Sequence, residues 1–372
     1  MVNNNNMDSK PNTIKTDSVT VDLCFHPKKD VLATGDMEGD IRIYSYPATG
    51  GDTSEIMTLT HHKKACRCLR FSNNGEELYT AAKDKSIQII DLNTGGVKHK
   101  FKKAHDCPVY SMLVTGEHFI ATGDDDGVIK IWDVRINKEV VEIKENEDFI
   151  SDMGIDPHKR MLLATSGDGT LTAYNIRRKK LEMQSELFDS EFLSIAQMKN
   201  NQKVVCGSGD GVFYLFNWGE WGNMSDMFPA LNSPPVSLDC MVALTDDIIV
   251  CGCDDGNIRA INILPNRIIG IVGDHEKFPV ENISLSQDKK LLASCSHDQT
   301  IKFWNIDDLD EERVSDKKKK KSNKSKLLSS AGKKDDFFSG FAEGTGASNV
   351  SSDDDDDSDD DDDSEDDDSD EN

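Results

Sequence analysis

The sequence has none of the short motifs by which common enzyme classes are recognised. It contains no glycine-rich phosphate loop before a helix, no HExxH and no GxSxG, which excludes the enzyme classes that those motifs define. Residues 1–10 are Asn-rich and lack the apolar run and small-residue cleavage pattern of a secretory signal. We therefore predict that the protein is not an enzyme and that its N-terminus is disordered.

Cysteine is present in a pattern that favours neither disulfides nor a metal site. There are nine cysteines, an odd number, scattered through strand-like segments, which indicates reduced thiols in a cytosolic or nuclear protein. Cys66-Arg-Cys68 and Cys251-Gly-Cys253 could each supply two ligands, but a structural zinc site needs four. Since residues i and i+2 lie on one face of a strand, small buried side chains explain both pairs. We expect no metal and no cofactor.

What the sequence does contain is a repeated unit, seen most clearly in IATGDDDGVIKIWDVR at residues 120–135. Apolar residues alternate at period 2 on both sides of Asp126-Gly127, which predicts two strands joined by a tight turn. Asp and Gly suit such a turn because Gly adopts positive φ without a Cβ clash and Asp tolerates it. The unit ends in an aromatic-Asp pair.

Six further copies of this unit follow or precede it at regular spacing. The residues equivalent to Trp132 are separated by 46, 42, 42, 42, 45 and 43 positions, and an acidic residue stands six positions before each. A period of 40–45 residues with an acidic turn and a terminal aromatic is typical of WD-repeat blades. We predict an all-β, seven-bladed WD-repeat β-propeller. The equivalent residues are Tyr44, Ile90, Trp132, Tyr174, Phe216, Ile261 and Trp304.

The resemblance to WD repeats also implies a buried hydrogen-bond network within blades. A His would link the turn Asp to a Thr or Ser, whose hydroxyl would accept a hydrogen bond from the indole N–H of the Trp. Each of these buried polar groups would then have a hydrogen-bond partner. The predicted sets are His105, Thr122, Asp126 and Trp132 in one blade and His275, Ser294, Asp298 and Trp304 in the last. A catalytic reading of Ser, His and Asp is disfavoured, because a catalytic set occurs once and this one recurs.

The ring of blades has to be closed by the beginning of the chain. After Trp304 the sequence becomes highly charged and offers no fourth strand to the last blade. The resemblance implies that a short strand at Thr13–Lys15 supplies it, which would remove two open sheet edges. We predict a disordered segment at 1–10, a propeller at 11–308 and a disordered tail at 309–372.

One loop within the propeller is unexpectedly apolar. The segment NWGEWGNMSDMFPALNSPP follows Phe216 and contains two Trp, two Met and a Phe where a polar connection is expected. Exposed apolar clusters on loops often mark partner sites. The alternative is that these side chains fold back over a blade edge, and the sequence does not decide between the two.

The tail after the propeller has three parts of different character. Residues 317–334 hold nine lysines and no acidic residue, and this composition resembles a nuclear or nucleolar targeting segment. The segment begins with five consecutive lysines, Lys317, Lys318, Lys319, Lys320 and Lys321. Residues 335–341 are an aromatic motif in which Phe337, Phe338 and Phe341 could dock into a partner groove. Residues 351–372 are acidic and account for sixteen of the formal net charge of −26. Such charge blocks do not fold alone.

Seven WD repeats followed by a Lys-rich stretch, a DDFFSGF segment and a Ser/Asp tail resemble the WD repeat-containing protein 55 family. The resemblance implies a nucleolar scaffold, without catalysis, that supports ribosomal RNA processing and ribosome biogenesis. The acidic tail suits basic nuclear proteins such as pre-ribosomal assembly factors. We expect a monomer within a larger complex, in the nucleus and nucleolus with some cytoplasmic protein. We expect no membrane contact, and RNA contact only weakly through the Lys run.

A rival hypothesis rests on Trp132, Asp133 and Arg135. These residues resemble the WDxR box by which some propellers dock onto the adaptor of cullin-RING ubiquitin ligases, with Arg135 as the exposed contact. The simpler interpretation is that Arg135 pairs with a nearby carboxylate, for little net energy. A third class is an RNA-contacting module that uses the Lys run and a basic propeller rim, since single strands bind through charge and stacked aromatic residues. The acidic body of the chain weakens this class, and the net charge argues against a duplex-binding protein.

Overall fold

The computed structural model describes residues 10–230, 235–307 and 309, and it shows an all-β, seven-bladed propeller. Seven four-stranded antiparallel sheets are built from 28 strands. Blade 1 contains β2 (Thr20–Phe25), β3 (Val31–Asp36), β4 (Ile41–Ser45) and β5 (Ser54–Leu59). Blade 2 contains β6 (Cys66–Phe71), β7 (Glu77–Ala82), β8 (Ile87–Asp91) and β9 (Val97–Phe101). Blade 3 contains β10 (Val109–Val114), β11 (Phe119–Asp124), β12 (Val128–Asp133) and β13 (Lys138–Lys144).

The remaining blades have the same order of strands. Blade 4 contains β14 (Ile150–Ile155), β15 (Met161–Ser166), β16 (Leu171–Asn175) and β17 (Lys180–Gln184). Blade 5 contains β18 (Phe192–Met198), β19 (Lys203–Ser208), β20 (Val212–Asn217) and β21 (Asp226–Pro229). Blade 6 contains β22 (Cys240–Ala243), β23 (Ile248–Gly252), β24 (Asn257–Asn262) and β25 (Arg267–Asp274). Blade 7 contains β26 (Val280–Leu285), β27 (Leu291–Ser296), β28 (Thr300–Asn305) and β1 (Ile14–Lys15).

The seven residues equivalent to Trp132 in the repeats occupy the same position in each blade. Each residue equivalent to Trp132 lies in the third strand of its blade and faces a residue of the second strand, as Trp132 faces Ile120 and Trp304 faces Leu292. The hairpin predicted around Asp126 is β11 and β12, and Gly127 adopts a φ of +79° in its turn. A Cβ at Gly127 would lie 2.4 Å from the Asn146 carbonyl oxygen, so the turn also needs glycine for space.

The first strand closes the ring, as predicted. β1 pairs with β28, with Ile14 opposite Ile301 and Lys15 opposite Thr300. Ile14 is buried in a cluster with Phe25 of blade 1 and Phe303 of blade 7. The N-terminal strand therefore completes blade 7 and contributes to its packing on blade 1, which leaves no unpaired third strand at the junction.

Packing between blades explains the small residues in the second strands. Ile150 of blade 4 packs against Ala121 and Ile131 of blade 3 within one cluster. A Cβ built on Gly123 would lie 2.4 Å from the Cβ of Ile150. Glycine at this position is thus what lets the first strand of one blade approach the sheet of the preceding one.

The propeller has two faces that are distinguished by their connections. We call the upper face the one that carries the turns between second and third strands and the links from blade to blade. The lower face carries the turns between first and second and between third and fourth strands. The first strands of all seven blades line a central channel. Among the residues that the structure describes, no helix has the length and apolar character needed to cross a membrane.

Candidate protein-interaction site

The blade 3 network is present, with one correction to its acidic member. His105 Nε2 lies 2.7 Å from Thr122 Oγ1, and Trp132 Nε1 donates to the same oxygen over 2.9 Å. His105 Nδ1 lies 2.8 Å from Asp124 Oδ2, so Asp124 takes the place that we predicted for Asp126.

The correction follows from where the second strand ends. Asp124 is the buried last residue of β11, and its Oδ1 accepts bonds from the Asp126 and Val128 amides. Asp126 lies two residues further into the turn, is exposed and is contacted by the Cys107 thiol over 2.8 Å. Burial alone would raise the pKa of Asp124, but hydrogen bonds from His105 and the backbone outweigh it and lower that pKa.

The blade 7 network has the members named from the sequence. His275 Nδ1 lies 2.8 Å from Asp298 Oδ2 and its Nε2 lies 2.7 Å from Ser294 Oγ, which accepts a 2.8 Å bond from Trp304 Nε1. Burial lowers the pKa of His275 despite the neighbouring Asp298, which favours the neutral ring. Asp298 stands two positions later in its turn than Asp124 does. The carboxylate that bonds the network His therefore comes from a different turn position in each of the two blades.

Both networks are seated inside their blades. His105, Thr122, His275 and Ser294 are each at most 2% exposed, which keeps them from any substrate. Their hydrogen bonds satisfy polar groups that the packing of Trp132 and Trp304 would otherwise leave unpaired. We find no catalytic arrangement among them.

The residues of the WDxR box are arranged mainly for internal contact. Trp132 and Asp133 are buried, and the Arg135 side chain is 55% exposed on the lower face. Arg135 donates to both Asp133 oxygens, from Nε over 3.0 Å and from Nη2 over 2.6 Å, and its guanidinium lies 5.5 Å from the Phe119 ring centroid. These bonds lower the pKa of Asp133 to about 2. A partner of Arg135 would have to share or displace Asp133.

The central channel holds a cavity of about 680 Å³ whose wall is fixed by bonds between neighbouring first strands. A side chain from the first strand of each blade bonds to the next blade around the ring. Asp22 accepts from the Leu69 amide over 2.7 Å, and Asn282 bonds Asp22 to close the circle. The other five bonds join Cys68 to Tyr110, Ser111 to Ile150, Ser151 to Phe192, Ser194 to Leu238 and Cys240 to Val280.

Charged side chains inside the channel are partly compensated. Arg70 Nη1 donates to Asp22 Oδ2 over 2.7 Å and lies near Asp152. Burial nevertheless raises the pKa of Asp22, Asp152 and Asp239, to about 6 for the last two. For Asp22 and Asp152 the cost of desolvation therefore outweighs the attraction of Arg70, and all three carboxyl groups would gain from a cationic partner.

One side of the upper mouth of the channel is aromatic and cationic. Tyr110 is 37% exposed, its ring centroid lies 4.8 Å from that of Phe149, and the Arg67 guanidinium lies 5.1 Å from it. Arg67 is held in place by Asp125, with Nη1 2.6 Å from Oδ1. These residues come from blades 2, 3 and 4, and the stacking restricts Tyr110 to one orientation.

The opposite side of the mouth is acidic. Asp239 precedes β22, and Glu281 in β26 contacts His297. Phe278, 48% exposed, lies in the link that precedes β26. The upper mouth thus combines exposed aromatic side chains with separated positive and negative groups, which is the chemistry of a protein-binding surface more than of a small-molecule pocket.

Sequence reasoning missed the mouth because no single motif carries it. Arg67, Tyr110 and Glu281 are each the second residue of a first strand, at equivalent positions of three blades. Comparing the second residue of the first strand in every repeat would have indicated the residues that line the mouth. The channel becomes visible in the sequence only after the first strands have been aligned.

Most of the apolar side chains in the loop after Phe216 pack against blade 5. Trp221 is buried, Trp218 is partly buried against the same cluster, and their rings meet edge to face at 5.3 Å. Phe228 lies in β21 and stacks on Phe213 at 5.0 Å. Met224 and Met227 remain exposed. The packing of these aromatic residues therefore completes blade 5, and part of Trp218 stays exposed.

The thiols of the propeller are reduced. All nine cysteines are free, and seven are buried. Cys251 and Cys253 have their sulfur atoms 3.8 Å apart on one strand face, and the pKa of Cys251 is raised, mainly by its bond with Cys253 and by burial. Within the described part of the chain no group of three or more His, Cys, Asp or Glu is placed to bind a metal.

Two predicted motifs cannot be placed in the fold. The targeting lysines, Lys317 to Lys321, and the docking motif with Phe337, Phe338 and Phe341 lie outside the residues that the structure describes. The acidic segment 351–372 and the N-terminal residues 1–9 lie outside them as well.

Comparison with known proteins agrees with the repeat pattern and extends it. The family model described as WDR55 matches residues 11–309, which is the whole propeller. WD repeat-containing protein 55 of Bos taurus is 43% identical over 296 residues, covering 80% of this chain and 77% of that protein. The Homo sapiens protein of the same name is 43% identical over 306 residues, covering 82% and 79%. The Aedes aegypti homolog is 42% identical over 298 residues, covering 80% and 62%. The chain belongs to the WD repeat-containing protein 55 family.

Proposed function

We propose that the protein is a nucleolar scaffold that supports ribosomal RNA processing and ribosome biogenesis by holding other proteins. The observation that carries the proposal is the upper mouth of the channel, where Tyr110 and Phe149 stand beside Arg67 and face Asp239 and Glu281. A rigid ring presents this mouth in a fixed shape, so little conformational entropy is lost when a partner docks. Exposed aromatics with an adjacent Arg are the residues that most often dominate binding energy.

The partners that fit this mouth are proteins with a basic and apolar docking segment. The desolvated carboxyl groups of Asp152 and Asp239 would be stabilised in their charged form by a Lys or Arg. The aromatic side would accept apolar side chains. The acidic tail adds sixteen negative charges that attract the same class of basic protein before it docks. Pre-ribosomal assembly factors are of this class.

The test is to replace Tyr110 with Ala in the tagged full-length protein and to compare it with Ile56→Ala. Ile56 is 55% exposed on the outer strand of blade 1, away from the mouth, so its truncation removes comparable apolar surface elsewhere. We expect Tyr110→Ala to lose pre-ribosomal proteins from the co-purified material and to accumulate ribosomal RNA precursors. Equal behaviour of the two variants would contradict docking at the mouth.

Localisation is part of the same proposal. Nine lysines in residues 317–334 with no acidic residue among them suit import and nucleolar retention. Fusing the chain to a fluorescent protein, with and without these residues, tests the assignment. Nucleolar signal that survives the deletion would remove this segment from the account while leaving the scaffold role to the propeller.

An adaptor role in a cullin-RING ubiquitin ligase is the second candidate. The observation that favours it is the exposure of Arg135 on the lower face next to buried Trp132. The bidentate pair with Asp133 weighs against it, because two of the Arg135 donors are already used. An Arg135→Ala variant that loses a cullin and its adaptor would establish this role.

A further inference from the structure

Blade 4 carries a dense group of basic side chains on the lower face. Two turns contribute to it, the one between β14 and β15 and the one between β16 and β17. We define the basic patch as the residues of these turns, and the first residue of β17, whose cationic or imidazole groups have no partner within residues 10–230, 235–307 and 309. They are His158, Lys159, Arg160, Arg177, Arg178 and Lys180.

These six side chains are exposed and unneutralised. None of them forms an ion pair or a side-chain hydrogen bond with any residue in the part of the chain that the structure describes. The neighbouring Lys179 differs, since its Nζ donates to the Val140 carbonyl oxygen over 3.0 Å. Residues 157–160 and 176–180 contain no acidic residue. Five formal positive charges therefore stand together on a chain whose residues 1–352 carry a net charge of −10.

Blade 3 shows how the same turn is arranged when the Arg is neutralised. Arg135 and Arg177 occupy equivalent positions, three residues after Trp132 and Tyr174. In blade 3 the residue after Trp132 is Asp133, which holds Arg135 in a bidentate pair. In blade 4 the equivalent residue is Asn175, whose Oδ1 accepts the Arg178 amide over 3.0 Å. Replacing the carboxylate by an amide keeps the turn and leaves Arg177 without an ion pair to any residue that the structure describes.

The patch is held in place by its backbone. Asp156 is buried, and its carboxylate accepts the amides of Arg160 and Met161, the latter over 2.8 Å. The Ile176 amide donates to the Arg160 carbonyl oxygen over 2.9 Å and ties the two turns together. The only carboxylate inside either turn is therefore occupied by backbone donors. The basic side chains project from a fixed platform, which reduces the entropy lost when an anion binds.

We propose that the basic patch of blade 4 is a binding site for the phosphate backbone of single-stranded RNA. Three of its members are arginines, whose planar donor forks match phosphate oxygens better than a lysine does. A group of cations on two adjacent turns, unpaired among the described residues, can contact several phosphates of one polymer. Trp218 lies on the lower face of the adjacent blade 5, only partly buried, and it packs against the same apolar cluster as Met161, the residue that follows Arg160. A partly exposed indole beside a cationic surface is what sequence-tolerant base stacking requires.

This site is independent of the proposed protein contacts. It lies on the face opposite the channel mouth, uses other side chains and binds a different class of macromolecule. It also differs from the Lys-rich segment 317–334, which would add non-specific phosphate contacts of its own. The experiment must therefore isolate the patch within the full-length chain.

The experiment measures binding of a fluorescein-labelled 20-nucleotide polyuridine RNA to the full-length protein by fluorescence anisotropy, from 50 to 200 mM KCl. The test variant is Arg160→Ala/Arg177→Ala/Arg178→Ala. The matched control is Lys64→Ala/Lys102→Ala/Lys103→Ala, which removes the same charge from exposed positions in upper-face links. The lysine-rich segment is unchanged in both proteins, so its contribution cancels.

We expect the patch variant to bind roughly tenfold or more weakly at 100 mM KCl, and the slope of log affinity against log salt to fall by about 2, since each phosphate contact on a single strand contributes about 0.7. The control should stay within about twofold of the wild type. Arg160→Lys/Arg177→Lys/Arg178→Lys, which retains the charge, should keep the salt slope. Equal losses in patch variant and control would overturn the proposal, because general charge would then explain binding. A polyglutamate peptide of 20 residues that binds as tightly as the RNA, and loses binding in the patch variant, would overturn it in favour of an acidic protein.

Discussion

The two aspartates of the blade 3 turn should differ sharply in their contribution to stability. Asp124 accepts hydrogen bonds from His105 and from two backbone amides within a buried site. Replacing it with Ala leaves the His105 Nδ1 group and both amides without these acceptors. A buried group left unsatisfied costs about 1–3 kcal/mol, and some of these donors can reach water in the turn. We therefore expect Asp124→Ala to lower the free energy of unfolding by about 2–3 kcal/mol.

Asp126 provides the matched control, because it lies two residues away with the same chemistry. It is exposed, and its side-chain contact is with the Cys107 thiol. Substitutions at exposed positions without such networks usually change stability by no more than about 0.5 kcal/mol. Thermal unfolding followed by circular dichroism would show the difference. At roughly 2–4 °C per kcal/mol for a domain near this size, Asp124→Ala should lower the Tm by about 4–12 °C and Asp126→Ala by about 1–2 °C or less.

The pH dependence adds a second readout to the same pair. The pKa of Asp124 is lowered in the folded protein relative to its ordinary value. Its ionised form is therefore favoured by folding, so it contributes stability above an unfolded pKa of about 3.9 and loses that contribution as pH falls through the folded pKa. The Tm difference between wild type and Asp124→Ala should narrow below about pH 4. A larger effect of Asp126→Ala, or a difference that does not narrow in acid, would refute the assignment of Asp124 to the network.

Three further changes test the packing and the tail. Ile14→Ala should lower the free energy of unfolding, measured by urea denaturation, by about 2–5 kcal/mol, because it opens a cavity at the closing strand. A loss below about 0.5 kcal/mol, as expected for an exposed side chain, would contradict closure of the ring by β1. Gly123→Ala should lower the Tm by several degrees, through roughly 1–3 kcal/mol of overpacking against Ile150, and an unchanged Tm would show that the blades can separate there without cost. Deleting residues 317–334 should disperse a fluorescent fusion from the nucleolus, and unchanged microscopy would count against targeting by the lysines.

The sequence predicted the architecture well because the repeat period is a property of the fold itself. A blade cannot bury its faces alone, so seven copies of one pattern specify seven stacked sheets. The residues equivalent to Trp132 all lie in third strands, and the closing strand was placed within one residue of its observed start at Ile14. Alternation at period 2 also placed Cys251 and Cys253 on one face, where they are buried.

The parts that sequence reasoning missed depend on the exact turn geometry or on contacts between distant repeats. Asp124 and Asp126 are both acidic and both near the turn, and only the end of β11 decides which one reaches His105. The pairing of Trp218 with Trp221 hides aromatic residues that look exposed in the sequence. The basic patch combines residues 158–160 with Arg177, Arg178 and Lys180, which lie on adjacent turns because β15 and β16 form a hairpin between them. No local sequence motif predicts that these two basic turns lie next to each other.

The most direct test of the scaffold role is affinity purification of the tagged full-length protein from nuclear extract at moderate salt, in parallel with Arg135→Ala, with all co-purifying proteins identified. The scaffold account predicts the same set of pre-ribosomal proteins with both forms, because Arg135 is paired within its own blade. A cullin and its adaptor recovered with the wild type and lost with Arg135→Ala would contradict the account and assign the propeller to ubiquitin ligation.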